Sequence, residues 1–162
     1  MKQQVKSRQR VSDHGEVFTA EREVNAMLDL VKQETERVDS RFLEPACGDG
    51  NFVVEILRRK LAAAKKRATP PKRQTVVPFE FEKQSVIAVA SIYGVDLLLD
   101  NVIACRQRLY DIWNAEYEVV CSNEVDEACR SFIQSVNICV IRKTDVRQTT
   151  INFHMKGNHN ER

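Results

Sequence analysis

The chain has 162 residues, which fits one domain with a real core. Apolar residues make up 43% and charged residues 30%, the balance of an ordinary globular protein rather than a disordered or fibrous one. A formal net charge of +2 excludes a global field that would draw in nucleic acid, leaving only local patches, and no apolar run approaches the ~20 residues of a membrane span.

In chain order, residues 1–12 are polar and expected to be disordered. They are basic, but no apolar stretch follows, which argues against secretion and for a cytoplasmic protein. DHGEVFT (13–19) reads as a loop whose last residue, Thr19, caps a helix over about 20–37. Glu21 and Glu23 suit that helix's positive end, and Val24, Met27, Leu28 and Val31 share one face. Lys32 and Glu36 stand one turn apart on a wetter face.

RFLEP is a short strand closed by Pro45. A helix follows over about 51–66, burying Phe52, Val53, Ile56, Leu57 and Leu61. A basic, proline-containing linker over 65–78 ends it, then a helix over about 81–91. Between Lys65 and Arg73 five basic residues offer a phosphate contact, against the plainer alternative of a solvated loop. SIYGVDL is a second strand ending at Asp96. Val102, Ile103, Leu109, Tyr110 and Trp113 then recur at helical spacing, EVDEACRSFIQSV is a further helix, and NICVI (137–141) is a third strand. The tail 155–162 is polar and expected to be disordered.

Strands separated by helices imply parallel pairing with right-handed crossovers, so the fold class is α/β, the first half of a doubly wound, Rossmann-like sheet. The five cysteines, at 47, 105, 121, 129 and 139, form no CxxC pair and read as reduced thiols packed as small apolar residues. The three histidines show no metal spacing.

Two of only five glycines, Gly48 and Gly50, fall in LEPACGDGNF, where a strand turns at once into a helix. Glycine permits positive φ there and removes a Cβ that would block a ligand. The free amides at Asn51 and Phe52 are donors for a negative group. Glu44 and Asp49, however, would repel a pyrophosphate and suit an amine or hydroxyls. That disfavours a dinucleotide and favours a zwitterionic amino-acid nucleoside. Asp96, ending the next strand, is placed to take both ribose hydroxyls. The bland alternatives are a turn that only reverses the chain and an aspartate that only caps a helix.

LEPACGDGNF resembles motif I of the adenine-specific DNA methyltransferases of restriction–modification systems. DHGEVFT resembles the segment, motif X, that these enzymes place ahead of it, and IYGVDLLLDNVIACRQRL resembles their motif II region. The three stand in the order of the class whose cofactor half precedes its catalytic motif, and together they cover residues 13–110. The resemblance implies S-adenosylmethionine as cofactor and a Rossmann-like methyltransferase fold, here partial, with about three parallel strands. It implies that Phe18 and Thr19 contact the cofactor, that Glu44 and Ala46 address its methionine amino end, and that Gly48 and Gly50 let it approach. Asp96 would bind the ribose, Leu97 the adenine, and Asp145 would match the acid that reads the adenine amino group. Two positions depart from the pattern: Ala20 stands where the family has proline, and Thr144 where it has glycine before the acid.

The family's catalytic Asn/Asp-Pro-Pro-aromatic tetrapeptide does not occur. It is needed because an adenine amine shares its lone pair with the ring, so two carbonyls must accept its hydrogens while an aromatic ring stacks on the flipped base. The only Pro-Pro, Pro70–Pro71, lies between motifs I and II, followed by Lys72, and reads as a helix stop. The expectation is a single partial methyltransferase domain over 1–162, a cofactor-binding fragment inactive alone that meets DNA only through a complete enzyme. Its first strand would be an open edge, covered by a second copy, by a complementary chain carrying the missing strands, or by its own tail. The rival from another class is a non-catalytic interaction protein that pairs with, or interferes with, a methylase or restriction complex. A small-molecule methyltransferase is a third reading.

Overall fold

Ser7 begins the first helix. Its hydroxyl accepts the Arg10 amide at 3.1 Å, and Gly15 closes the helix in the left-handed region at φ 65°. Helix α1, Arg8–His14, therefore occupies part of the segment expected to be disordered. The structure, a computed structural model, describes residues 5–72, 75–122, 124–135 and 140–142.

Helix α2 is Glu21–Asp29 and α3 is Lys32–Thr35, in place of one helix over 20–37. At the break the ladder tightens to i→i+3 bonds from Leu30 and Val31, both exposed, so no packing holds a continuous helix there. Ala20, not Thr19, takes the cap position of α2, and no side chain caps it. Val24 and Leu28 are buried as expected, whereas Met27 and Val31 face solvent. Lys32 and Glu36 pair at 3.6 Å with both side chains exposed, a contact worth only a few tenths of a kcal/mol, about 0.3–0.5.

Strand β1 is Phe42–Glu44 and helix α4 is Asn51–Arg67. The last turn of α4 includes Lys65, Lys66 and Arg67, so these bases are helical rather than part of a linker, and they complement the negative end of the helix. Helix α5, Pro78–Ala90, begins earlier than expected because Pro78 sits at a position where its missing N–H is not needed. Strand β2 is Ile92–Asp96, α6 is Leu99–Cys121, α7 is Glu127–Ser135, and β3 is Val140–Arg142. On α6, Val102, Leu109 and Trp113 are buried as the periodicity predicts, while Ile103 is exposed.

The strands pair in parallel in the order β1-β2-β3, with Leu43 opposite Tyr93 and Val95 opposite Ile141. The fold is α/β, a three-stranded parallel sheet with flanking helices, compatible with part of a Rossmann-like fold. Both crossovers run the same way along the sheet, so crossovers of one hand lay their helices on one face. Ile92, Gly94 and Val140 are buried on that face. On the other face Leu43 is 68%, Tyr93 40% and Ile141 38% exposed. Parallel sheets ordinarily bury both faces, so this one is covered on one side only among the described residues.

The core lies between the sheet and helices α4, α5 and α6. Trp113 stacks on Tyr117 with ring centroids 4.7 Å apart and donates its indole N–H to the Ser85 hydroxyl at 3.0 Å. Lys60 of α4 is fully buried: its Nζ donates to the Val38 carbonyl at 3.1 Å, to the Ser91 hydroxyl at 2.6 Å and to the Ser40 carbonyl. Cys47, Cys105, Cys121 and Cys129 are free thiols, the first three buried. Cys139 lies outside the described residues. No helix among the described residues is long and apolar enough to cross a membrane.

Candidate functional site

Strand β1 delivers the chain to Glu44, and the turn that follows is fixed against β2 by the Cys47 amide, which donates to the Val95 carbonyl at 3.0 Å. Gly48 and Gly50 both adopt positive φ, 54° and 98°. The same register brings the end of β2 beside the turn. The Gly48 amide donates to Asp96 Oδ2 at 2.9 Å, so the second acid meets the first glycine directly. Asp96 Oδ1 accepts the Leu98 amide at 2.8 Å and Asn101 Nδ2 at 3.2 Å.

Above this junction is a cavity of about 340 Å³. Glu44, Ala46 and Gly48 line it from the first turn, Asp96 and Leu97 from the second strand. Phe18 and Thr19 close it from the N-terminal segment, and Asn51 and Phe52 stand at the start of α4, whose cap residue Gly50 offers no side chain. Eight of the residues expected in the site are thus brought together: Phe18, Thr19, Glu44, Ala46, Gly48, Asn51, Asp96 and Leu97.

Two are not. Gly50 does not line the cavity. A Cβ there would stand 2.6 Å from Cys105 Sγ, so this glycine serves the packing of α4 on α6, not a ligand's approach. Asp49 turns the other way and pairs with Arg108 at 2.9 Å. It lines an adjoining cleft of about 870 Å³ with Arg22, Glu23 and Arg58, which shares Phe18, Thr19 and Asn51 with the first cavity as a common wall. Asp145 lies outside the described residues. The space over Gly48 is also not open: a Cβ would meet Phe18 Cε1 at 3.0 Å, so the missing side chain admits the Phe18 ring, which itself walls the cavity. Thr19 contributes its carbonyl, which accepts Asn51 Nδ2 at 2.9 Å.

Asp96 also differs from expectation in capacity. A carboxylate has about four acceptor positions, and three are filled by the protein. Room remains for about one further donor, on Oδ2, rather than for both hydroxyls of a ribose. The Leu98 bond is the helix-entry role that an isolated aspartate would have, and here it coexists with the cavity.

Sequence reasoning missed three groups. Arg108 holds Asp49 and donates to Asn51 Oδ1 at 3.1 Å. Asn101 is buried against Asp96, and Glu16 lines the cavity wall. The signal was the spacing Asn101, Cys105, Arg108, one face of the helix that follows the second acid. Arg10, hydrogen-bonded to Glu16, holds the Glu16 carboxyl below its usual range. The Cys47 thiol beneath the turn is pushed well up by its hydrogen bond with the Cys105 thiol and by burial, which makes it a packing group rather than a nucleophile.

Chemically the cavity offers backbone and carboxylate acceptors, free helix amides, and apolar walls from Phe18, Phe52 and Leu97. That set fits a molecule with hydroxyl or amine donors and a flat apolar part. No cluster of three or more His, Cys, Asp or Glu able to hold a metal occurs among the described residues. Comparison with family models, with curated proteins and with solved structures finds no match.

Proposed function

We propose that this chain is the S-adenosylmethionine-binding half of an adenine-specific DNA methyltransferase of the restriction–modification type. The observation that carries the reading is the contact between the Gly48 amide and the Asp96 carboxylate under a cavity walled by Phe18 and Leu97. In this reading Leu97 and Phe18 flank the adenine, Asp96 Oδ2 takes one ribose hydroxyl, and Glu44 faces the amino end of the methionine. Glu44 Oε1 is held by the Ala46 amide at 3.3 Å, which aims it along the turn.

The complete reaction is methyl transfer from the sulfonium to the adenine amine. These residues supply alignment of the donor. The carbonyl pair that accepts the amine hydrogens belongs to a tetrapeptide this sequence does not contain, so DNA is met through the complete enzyme. Alone, the chain is expected to bind S-adenosylmethionine weakly and to leave DNA unmethylated.

Calorimetric titration tests the reading. The wild-type chain is expected to take up S-adenosylmethionine, and Asp96→Ala to weaken it at least tenfold, about 1.4 kcal/mol. No heat from the wild-type chain at millimolar cofactor overturns the assignment. Methylation of DNA by the purified chain, lost in Asp96→Ala, overturns the statement that it is inactive alone.

The bare side of the sheet favours a second element of the reading. The outer edge of β1 has no strand partner among the described residues, and Leu43, Tyr93 and Ile141 lie exposed beside it. An exposed edge next to an apolar face invites a further strand and helix. The reading therefore includes a complementary chain, or a second copy, set against β1. On the second reading, that of a non-catalytic interaction protein, this same surface would pair with, or interfere with, a methylase or restriction complex. Co-purification with a chain that carries the Asn/Asp-Pro-Pro-aromatic tetrapeptide is the expected result. A monomer in light scattering whose Leu43 amide, which faces away from β2, exchanges its hydrogen freely with such a chain present counts against it.

A further inference from the structure

Asn101 is 1% exposed, yet it is polar, and it heads the buried row of α6 that continues through Cys105, Leu109 and Trp113. All of its hydrogen-bonding capacity is used. Its Nδ2 donates to Glu16 Oε1 at 2.7 Å and to Asp96 Oδ1 at 3.2 Å. Its Oδ1 accepts Lys6 Nζ at 2.6 Å and Arg10 Nη2 at 3.3 Å. Two N–H donors and two lone pairs are all an amide side chain has. The surroundings also fix which way it points, because the cations face the oxygen and the carboxylates face the nitrogen.

The cations come from the N-terminal segment. Arg10 grips Glu16 through Nε at 2.5 Å and Nη2 at 2.7 Å, and reaches Asp100 at 2.7 Å. Lys6 adds a second contact to Asp100 at 3.2 Å and stands 5.6 Å from the centroid of the Phe18 ring. Residues 6–18 thus form a strap. Its ionic end is fastened to the start of α6, and its aromatic end rests on Gly48. From Arg10 the contacts run without interruption through Asn101 to Asp96 and on to the Gly48 amide.

We infer that Asn101 is a positioning residue for Asp96, and that the N-terminal strap sets it: the carboxylate is aimed at the glycine turn only while Lys6 and Arg10 are docked. With the strap released, Asn101 loses three of its four partners, Lys6, Arg10 and Glu16, and nothing but its bond to Asp96 holds the amide in place. The amide then turns or shifts, and Asp96 Oδ1 keeps only the Leu98 amide of its two donors, so the carboxylate is left free to rotate about that one contact. The pocket's wall and its acceptor are therefore assembled in one step, by one segment. The ligand identity used below rests on the proposed function; the coupling itself does not.

Hydrogen exchange separates the two. The Gly48 amide bonds Asp96, and Arg10 touches neither group, so Gly48 exchange reads the coupling without any ligand. Because Phe18 also rests on Gly48, Asn101→Ala, which leaves Phe18 and the Arg10 ion pairs in place, is expected to speed Gly48 exchange as well, and an unchanged rate there overturns the role of Asn101. Arg10→Met is expected to speed exchange at Gly48 at least tenfold while the α4 amides around Leu57 keep their protection, which excludes general unfolding. Arg10→Lys is expected to restore part of it, and Asp100→Asn to act in the same direction as Arg10→Met. In titrations with S-adenosylmethionine, Arg10→Met is expected to weaken binding at least threefold. Faster exchange across residues 8–14 with Gly48 unchanged, in Arg10→Met or in Asp100→Asn, overturns the inference. A wild-type chain that binds no S-adenosylmethionine overturns the proposed function and leaves the exchange test of the strap standing.

Discussion

Replacing Gly50 with alanine is expected to destabilise the protein by roughly 2–5 kcal/mol, by two separable routes. The first is conformational. Gly50 sits at φ 98°, and an L residue forced into the left-handed half of the map costs about 1–2 kcal/mol. The second is steric. The new methyl would stand 2.6 Å from Cys105 Sγ and 3.3 Å from Val53 Cγ2, both in the tightly packed seam between α4 and α6. Overpacking of this kind costs about 1–3 kcal/mol. Cys105→Ala removes the clashing sulfur but not the backbone strain. The double variant is therefore expected to recover only part of the loss, and a double-mutant cycle in urea measures the steric share. Full recovery would show that the backbone accepts a side chain here.

Lys60→Met is expected to cost about 2 kcal/mol or more at neutral pH, although it places an apolar side chain in an apolar neighbourhood. Lys60 Nζ serves the Val38 and Ser40 carbonyls and the Ser91 hydroxyl, and methionine would leave these groups without their donor. The variant also has a pH signature. Burial pulls the Lys60 ammonium down to about 8, against the partial support of Asp39 and Glu34. Below that value both folded and unfolded chains hold the proton, and the cost of burying the charge is present in full. Between about 8 and the ordinary lysine value of 10.5 the unfolded chain keeps a proton that the folded chain has released. Stability contributed at this position therefore rises with pH across that window. The methionine variant has no such group, so its deficit is expected to widen from pH 8 to pH 10. Denaturation midpoints of the two chains across that range check it, and a constant difference would place the Lys60 titration elsewhere.

The sheet and the long helices were legible because their signals are local. Short aliphatic runs between helical stretches gave β1 and β2 in their observed places, and the parallel order followed from the helices between them. The motif spacing likewise put Asp96 against Gly48, since a parallel register sets the carboxyl ends of neighbouring strands side by side. What was not legible depends on distant partners. Helix α1 is held to α6 by Arg10 and Asp100, 90 positions apart, and nothing in a polar stretch announces such a pairing. Gly48 and Gly50 look alike in the sequence, yet one admits Phe18 and the other Cys105. Asp49 read as an amine ligand until Arg108 was seen to take it. Periodicity marked Met27 and Ile103 as apolar without telling that both remain more than half exposed. A stripe predicts a face; only the fold decides whether the face is covered.

The stack of Trp113 on Tyr117 has a practical side. The chain holds a single tryptophan, so its indole fluorescence, excited beyond the absorption of its three tyrosines, has one source, a ring fully buried in the seam between α5 and α6 and bonded to Ser85. Indole emission from this protein is a spectroscopic gauge of the helical layer alone. It registers the loss of that layer on unfolding and carries no direct signal from the cavity at Asp96, which has no tryptophan in its lining.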